Sequence, residues 1–243
     1  MRTWYACETP SQAIIKYDRW GRTRVASDLV SPRGQGPAHC AKLTTSTPLA
    51  KLPTEYGEFT ILAFGCSQPQ LSGGGEHVAI MKGDVRGKGS VLLRVHSECL
   101  TGDVFGSKRC DCGEQLEVAL RAIEAQGEGL VLYLRQEGRG IGLLNKVMAY
   151  NLQDKGADTV EANEILGYPA DLRNYACAAC ALDLLGVSSV RLMTNNPKKI
   201  EELEKYGVKI VERVPIEVPS NTDNQRYMAT KREQMGHLIG GRE

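Results

Sequence analysis

A short hydrophobic run that passes directly into a glycine-rich, positively charged turn occupies residues 129–142. It reads Gly129-Leu130-Val131-Leu132-Tyr133-Leu134-Arg135-Gln136-Glu137-Gly138-Arg139-Gly140-Ile141-Gly142. The apolar part has the length of a buried strand and falls far short of the ~20 residues that a membrane-spanning helix needs. Glycines directly after a strand let backbone N–H groups approach an anion, and the arginines add positive charge. The stretch therefore predicts an anion site at a strand end, with a solvated surface turn as the alternative.

The flanking segments predict the rest of the fold. Before this stretch, β-like runs at about 58–65, 76–83 and 90–96 predict a small antiparallel sheet. A helix through Leu116 and Ile123 follows and ends at Gly127. After the stretch, the pattern predicts helices near 143–155, 160–166 and 175–185, and then strand, helix and strand at 189–193, 197–206 and 208–213. The expected fold class is α/β with a mixed sheet, in which N-terminal antiparallel strands precede alternating strands and helices.

Composition and charge divide the chain into two regions. The chain has 243 residues, of which 42% are hydrophobic, so it can bury a substantial core and does not resemble a disordered protein. Residues 1–50 carry an excess of four positive charges, whereas residues 51–243 carry an excess of three negative charges. We therefore expect a basic, loosely structured N-terminal extension followed by one folded domain. A body without excess positive charge argues against nucleic-acid binding.

The N-terminal sequence and the cysteine content bear on the compartment. Charged residues, beginning with Arg2 and Glu8, interrupt any apolar stretch near the N-terminus, which argues against a secretory signal and favours a cytoplasmic protein. Eight cysteines in a reducing compartment favour metal ligation or thiol chemistry over disulfides. Cys177 and Cys180 are the exception, because they lie in an apolar helical run where small core residues are the simpler interpretation.

Cys99, Cys110 and Cys112 form a C-x10-C-x-C set, which is the sharpest chemical signal in the chain. In an extended segment Cys110 and Cys112 point to the same side, and the turn before them can bring Cys99 close. Three thiolates with an open fourth position are typical of catalytic zinc, because the open position activates water. The spacing also fits three incidental buried cysteines, or a structural site that His96 completes.

A second strand-to-helix junction is predicted at residues 190–199. Asn196 is placed as the N-cap and Pro197 as the first helical residue, and two lysines follow in the first turn. Lysines at a helix N-terminus oppose the helix dipole. A bound anion that offsets this mismatch is therefore expected here as well.

Four motifs in the same order carry a resemblance to a known family. They are Arg94-Val95-His96-Ser97-Glu98-Cys99-Leu100-Thr101-Gly102-Asp103, Arg109-Cys110-Asp111-Cys112-Gly113, Arg135-Gln136-Glu137-Gly138-Arg139-Gly140-Ile141-Gly142-Leu143 and Thr194-Asn195-Asn196-Pro197-Lys198-Lys199. Over roughly residues 50–238 the chain resembles GTP cyclohydrolase II, the first committed enzyme of riboflavin synthesis. The resemblance implies that residues 51–243 form a zinc-containing, Mg²⁺-requiring, homodimeric catalytic domain. Its implied reaction converts GTP to 2,5-diamino-6-ribosylamino-4(3H)-pyrimidinone 5′-phosphate, formate and pyrophosphate.

The resemblance also implies roles for single residues. Cys99, Cys110 and Cys112 would bind zinc. The residues that would line the GTP site are Arg94, Val95, His96, Ser97, Glu98, Gln115, Glu137, Gly138, Arg139, Thr159, Thr194 and Lys199. Asp171 and Arg173 match the family's proposed base and its proposed nucleophile for guanylyl transfer, and Tyr150 matches a tyrosine near the opening ring.

Two of these implied roles compete with simpler interpretations. A guanidinium stays protonated and offers no lone pair, so Arg173 is expected to stabilise charge in the transition state unless Asp171 takes a proton from it. The apolar spacing around Tyr150 also fits a core aromatic residue.

Other activities within and beyond the family also fit parts of the sequence. About 50 N-terminal residues are too few for the dihydroxybutanone phosphate synthase domain that many family members carry, so no second activity is expected. The alternatives are a relative that stops at the formamidopyrimidine nucleotide or acts on another purine nucleotide, and a non-catalytic zinc- and nucleotide-binding regulator. The presence of Tyr150, Asp171 and Arg173 argues against early termination and against loss of catalysis.

Overall fold

A computed structural model describes residues 43–66 and 75–238, so most of the expected N-terminal extension lies outside the described residues. The strands are β1 (Leu43–Ser46), β2 (Ala50–Thr54), β3 (Gly57–Cys66), β4 (Glu76–Lys82), β5 (Val91–Ser97), β6 (Gly129–Leu134), β7 (Val190–Met193) and β8 (Ile210–Val214). The helices are α1 (Leu100–Asp103), α2 (Cys112–Gln126), α3 (Gly142–Asp154), α4 (Thr159–Ile165), α5 (Ala176–Leu184), α6 (Pro197–Lys205) and α7 (Gln225–Glu233). A 3-10 turn, Glu137–Gly140, joins β6 to α3. Within these ranges no helix has the length and apolar character of a membrane span.

The eight strands form one mixed sheet in the order β1-β3-β4-β6-β5-β7-β8, with β2 also paired to β3. Strands β1 to β4 pair antiparallel, and β4 pairs antiparallel with β6. Strand β5 is parallel to β6 on one side and to β7 on the other, and β7 is parallel to β8. The predicted mixed α/β class is therefore confirmed.

The structure corrects the predicted place of β5. The run at 90–96 was expected to belong to the antiparallel sheet, but β5 lies in the parallel half, between β6 and β7. Its residues are buried on both faces from Val91 to His96, as is usual for a central parallel strand covered by helices on either side. Strands β1 and β2 and helix α7 were not predicted, because none of them carries a strong hydrophobic period.

Helices cover both faces of the sheet. On one face, Ala119, Leu120 and Ile123 of α2 pack against Leu92 of β5. On the other face, α5 packs against the side of β5 that presents Leu93. Because successive residues of β5 point to opposite faces, both clusters can be filled from the same strand.

Cys66 of β3 and Cys177 of α5 form a disulfide that ties the sheet to this helix. The expectation that thiol or metal chemistry would take precedence over disulfides was wrong for this pair. The prediction that Cys177 lies in the core is confirmed, since it is 1% exposed. Its partner was missed because the two cysteines are 111 residues apart, a separation at which no local pattern reports contact.

The parallel strands end at one edge of the sheet. Strands β5, β6 and β7 finish at Ser97, Leu134 and Met193. The chain segments that leave these three ends carry the cysteine, glycine-rich and lysine motifs. An α/β sheet binds ligands at this edge, where neighbouring connections diverge from a central strand.

Candidate metal and nucleotide site

The three cysteines of the C-x10-C-x-C set lie together beyond the end of β5. Their sulfur atoms are all within 4.8 Å of one another, and the sulfurs of Cys99 and Cys110 are 3.7 Å apart. Gly102 packs against them, because a Cβ at Gly102 would lie 3.0 Å from Cys110 Sγ. A converging set of three thiols fits zinc, which prefers soft sulfur ligands. The interpretation of three incidental cysteines does not account for this convergence.

His96 does not complete a four-ligand site. Its Nε2 lies 3.0 Å from Asp103 Oδ1, and its ring stacks on Tyr133, whose hydroxyl donates to the same carboxylate. Within the described residues, the group that can hold a metal consists of the three cysteines alone. Three protein ligands leave the open position that a catalytic zinc requires.

Lys146 connects the cysteines to the glycine-rich turn. Its Nζ donates to Cys99 Sγ at 3.1 Å and to Glu137 Oε1 at 2.8 Å. The other oxygen of Glu137 accepts from the backbone N–H of Leu100. Hydrogen bonds from the thiols of Cys110 and Cys112, together with the charge of Lys146, hold the pKa of Cys99 well below its usual range. This shift favours the thiolate, which is the form of cysteine that binds metals.

A cationic cavity of about 60 Å³ adjoins Cys112. Its lining residues are Arg94, His96, Ser97, Cys112, Gln115, Arg139, Arg173, Thr194, Asn195, Asn196, Lys199, Tyr227, Lys231, Met235 and His237. Five of these side chains are lysine or arginine, and among the described lining residues none is a carboxylate. Such a cavity is electrostatically suited to a polyanion.

Arg94 and Lys199 are the most deeply buried of these cations, at 6% and 4% exposure. Arg94 donates to the Met193 carbonyl at 3.0 Å, and its Nε has no partner among the described residues. Lys199 Nζ donates to the Val95 carbonyl at 2.7 Å. Burial, followed by the charges of Arg94 and Arg173, lowers the pKa of Lys199. A bound anion would offset the cost of burying these charges, as the sequence predicted for this helix N-terminus.

The glycine-rich turn has a left-handed backbone. Gly138, Arg139 and Gly140 have φ angles of 62°, 60° and 94°. Arg139 adopts this conformation without being a glycine, which costs of order 1–3 kcal/mol and is typical of functional sites. Its guanidinium lines the cavity, and its Nη1 is buried with no partner in the described part of the chain.

Asp171 and Arg173 form a two-bonded ion pair. Arg173 Nε lies 2.9 Å from Asp171 Oδ1, and Nη2 lies 2.5 Å from Oδ2. Against the cost of burial, the neighbouring Tyr175 and Asp171 raise the pKa of Arg173. Arg173 therefore reaches the cavity as a fixed cation with Asp171 behind it, which favours charge stabilisation over nucleophilic attack.

Tyr150 of α3 lies next to the cysteine cluster without lining the cavity. Its hydroxyl is 3.1 Å from Thr101 Oγ1, and Thr101 Oγ1 is 3.7 Å from Cys99 Sγ. The guanidinium of Arg109 stacks over its ring at 4.9 Å. The ring is half-buried, so Tyr150 is not the core aromatic that the apolar spacing also allowed.

The structure brings most of the expected site residues together, but not all. Those lining the cavity are Arg94, His96, Ser97, Gln115, Arg139, Arg173, Thr194 and Lys199. Val95 and Asp171 lie behind it, as the hydrogen-bond partners of the lining residues Lys199 and Arg173. Glu137 instead accepts from Lys146 beside the cysteine cluster and from the N–H of Gly138. Glu98 is half-buried, pairs with Arg135 at 3.7 Å and does not line the cavity. Thr159 opens α4, where Asp158 caps the helix, and is not a lining residue.

Asn195 and Asn196 also line the cavity, although the sequence analysis placed them in a motif without predicting them as site residues. Four further lining residues belong to no motif and were missed altogether: Tyr227, Lys231, Met235 and His237. They lie in and just after α7, in a polar stretch without a recognisable motif. The positions of the lysine and arginine residues along α7 do not predict that Lys231 is buried while Arg232 is exposed.

A comparison with models of protein families identifies the family of this chain. The family model described as GTP cyclohydrolase II matches residues 45–215. The chain belongs to the GTP cyclohydrolase II family. This confirms the resemblance carried by the four motifs.

Relatives of two lengths occur in the GTP cyclohydrolase II family. The "GTP cyclohydrolase-2" proteins of Hahella chejuensis and Neisseria meningitidis are 56% and 52% identical, each over 78% of this chain and over 89% and 93% of their own lengths. The "Riboflavin biosynthesis protein RibBA" of Chlorobium phaeovibrioides is 55% identical over 82% of this chain. The matched region is 48% of that protein, so this chain spans about half the length of such relatives.

Proposed function

We propose that the chain hydrolyses GTP to 2,5-diamino-6-ribosylamino-4(3H)-pyrimidinone 5′-phosphate, with release of formate and pyrophosphate, as the first step of riboflavin biosynthesis. The observation that carries the proposal is the contact between two features: Cys112 belongs to the three-thiol cluster and also lines the cationic cavity. A metal and a triphosphate nucleotide can therefore bind side by side. The names of the shorter relatives agree with this activity. A cytoplasmic location is part of the same proposal.

The residues around the cavity suit the handling of a triphosphate. Arg94, Arg139 and Lys199 would hold the phosphates with Mg²⁺, and Arg173 would stabilise charge at the α-phosphate as pyrophosphate leaves. The fixed geometry of the Asp171–Arg173 pair keeps that guanidinium in place without rearrangement during the reaction.

The cysteine cluster suits the opening of the imidazole ring. Cys99, Cys110 and Cys112 would hold zinc, which when bound supplies Lewis-acid activation of water for attack at C8 and on the formyl group. Lys146 balances the negative charge of the cluster, and Tyr150 would orient water or donate to the developing oxyanion.

The direct test is incubation of the purified full chain with GTP and Mg²⁺, followed by mass spectrometry of the products, with ATP as the control for base recognition. Formate together with the deformylated pyrimidine supports the proposal. A formamide product would identify an enzyme that stops at the intermediate. GTP binding without turnover would identify a regulator, and either of these results would overturn the proposal.

Replacing Tyr150 with Phe tests its role in ring opening. We expect formate release to slow by ~10²–10³-fold, the usual cost of losing one oxyanion donor, while GTP binding and attack at the α-phosphate change much less. A nucleotide with an intact ring or a formamide group should accumulate in product analysis. Tyr56→Phe, a half-buried tyrosine at the β2–β3 turn, is the control. Equal loss of formate and pyrophosphate release would instead make Tyr150 a packing or binding residue.

An apolar face of α3 supports the proposal of a homodimer. Leu144, Val147 and Met148 lie on one side of this helix and are 82%, 53% and 53% exposed. Clustered exposed apolar side chains of this kind mark interaction surfaces. Leu144→Glu should therefore shift the protein from dimer to monomer in light scattering after size exclusion. Val211→Glu, on the outer strand β8, should have no such effect, and an unchanged dimer in the Leu144 variant would rule out this face.

Residues 51–243 are proposed to form the catalytic domain, with the basic extension dispensable for chemistry. Deletion of residues 1–42 removes most of that extension and stops before β1. Turnover of GTP should remain within a few-fold of the full chain in a steady-state assay. Loss of activity in a folded deletion variant would show that the extension contributes to the site.

A further inference from the structure

The C-terminal segment, residues 225–238, consists of α7 and the residues that follow it to Leu238. It supplies Tyr227, Lys231, Met235 and His237 to the lining of the cationic cavity. The whole segment lies beyond residue 215, where the family match ends. None of these four residues belongs to a motif that was assigned to the site. The segment is therefore an additional wall of the cavity, formed by residues to which none of the four motifs assigns a role.

Polar contacts dock this segment onto the site. Lys231 forms an ion pair with Asp111, and both side chains are less than 10% exposed. After the helix, the N–H of Leu238 donates to the carbonyl of Asn195 at 2.8 Å. Asn195 follows Thr194, the first residue after β7. Gln234 donates to Asp158 at 2.9 Å. The segment thus bridges the start of α2, the end of β7 and the start of α4.

The docked position leaves little space. The cavity measures about 60 Å³, whereas pockets that hold small ligands typically measure ~300–1,000 Å³. A nucleoside triphosphate is larger than this cavity, so on binding it must either extend beyond the cavity or displace residues 225–238. Exposed residues predominate in the connection at 217–224, so this part of the chain has few packing contacts to lose when the segment moves.

The charge that the segment carries inward matches a polyphosphate. Lys231 lies 4.7 Å above the Tyr227 ring, which also has Arg139 at 5.9 Å on its face. His237 faces the same cavity, where burial and the nearby positive charges of Lys231, Arg173 and Lys199 lower its pKa to about 3. Lys231 is held at the cavity by Asp111, and His237 is neutral near neutral pH, so the segment offers an incoming polyphosphate one ammonium group and one imidazole N–H donor.

We propose that residues 225–238 form a lid, which opens to admit the nucleotide and closes with Lys231 and His237 against its triphosphate. The inference rests on the proposed function for the identity of the nucleotide. The recognised chemistry is the polyphosphate group, so inorganic tripolyphosphate is a sufficient probe of the lid.

Substitutions within the segment test the phosphate contacts. In the full chain, Lys231→Gln and His237→Gln should each raise the KM for GTP and the Kd for tripolyphosphate by ~10–100-fold, the usual effect of losing a hydrogen bond to a charged group. The affinity for guanosine, which has no phosphate, should stay unchanged, and Lys231→Arg should restore part of the loss. Arg232→Gln removes the adjacent exposed cation of α7 and should behave as wild type.

Hydrogen exchange in the unmodified chain provides a measurement that does not depend on the folding of a variant. Tripolyphosphate should slow exchange of the backbone amides in residues 225–238 and leave β4 unaffected. Absence of this protection, or equal KM values in the Lys231 and Arg232 variants, overturns the lid. If tripolyphosphate protects the segment but GTP is not converted, the proposed function fails while the lid stands.

Discussion

The Cys110→Ser variant is expected to lose its zinc and with it the opening of the imidazole ring. Cys110 is 5% exposed, and its sulfur lies within the 4.8 Å cluster, so the replacement removes one of three converging thiolates. A serine hydroxyl is a poor zinc ligand at neutral pH because it stays protonated. Formate release should fall by ~10³-fold or more, at least the cost of losing a single oxyanion donor. Elemental analysis of the purified protein, together with a formate assay, measures both effects.

The control for this variant is Cys180→Ser, which alters a half-buried cysteine of α5 outside the cluster. It should keep zinc and activity. The fold should survive in both variants, as circular dichroism can check, because the sheet has its own hydrophobic core on each face. Full zinc occupancy in the Cys110 variant would show that these cysteines are not the metal site.

Arg173→Lys should lower pyrophosphate release by ~10²–10³-fold, although it keeps the positive charge. The arginine guanidinium binds Asp171 through two parallel hydrogen bonds and still has N–H donors that face the cavity. The ammonium group of lysine is a single point charge, so it cannot bind both Asp171 and the phosphate. GTP binding should weaken much less, because Arg94, Arg139 and Lys199 remain. Stopped assays of pyrophosphate, compared with the KM for GTP, separate the two effects. Arg191→Lys, which alters a half-buried arginine paired with Glu212 outside the cavity, is the matched control.

The companion variant Asp171→Asn affects stability as well as rate. It leaves the buried Arg173 guanidinium, 14% exposed, without its carboxylate. Removing one partner of a buried ion pair costs about 3–5 kcal/mol, so a lower melting temperature should accompany the loss of pyrophosphate release. Wild-type turnover in both variants would show that neither residue takes part in the phosphoryl step.

The sequence predicted those parts of the fold where local pattern and tertiary environment agree. The run at 129–134 is apolar throughout and forms β6 with the same bounds. Position 90–96 was predicted as a strand but assigned to the wrong part of the sheet, because pairing direction depends on partners far along the chain. Strand β2 contains Pro53, pairs with β3 alone among the described strands and has no buried residue, so it carries no continuous hydrophobic signal.

The candidate site also has a part that the sequence predicted and a part that it did not. The cysteine spacing predicted a cluster that the structure forms, and the two strand-to-helix junctions predicted cations at one edge of the sheet. Lys231 and His237 could not be found from sequence, because their approach to the cavity depends on how α7 docks through Asp111 and Asn195. The Cys66–Cys177 bond was missed for the same reason. Contacts between segments that are far apart in the chain produce no periodic pattern in the sequence.

The left-handed backbone at Arg139 has a consequence for anyone who engineers this protein for thermostability. At a φ of 60° a glycine would relieve local strain, so a stability-guided design would favour Arg139→Gly. That change would also remove a guanidinium from the cavity and raise the flexibility of the turn between β6 and α3. A substitution that raises the stability of the fold would therefore lower the turnover at this position. Libraries of stabilising variants should keep Arg139 and change other residues.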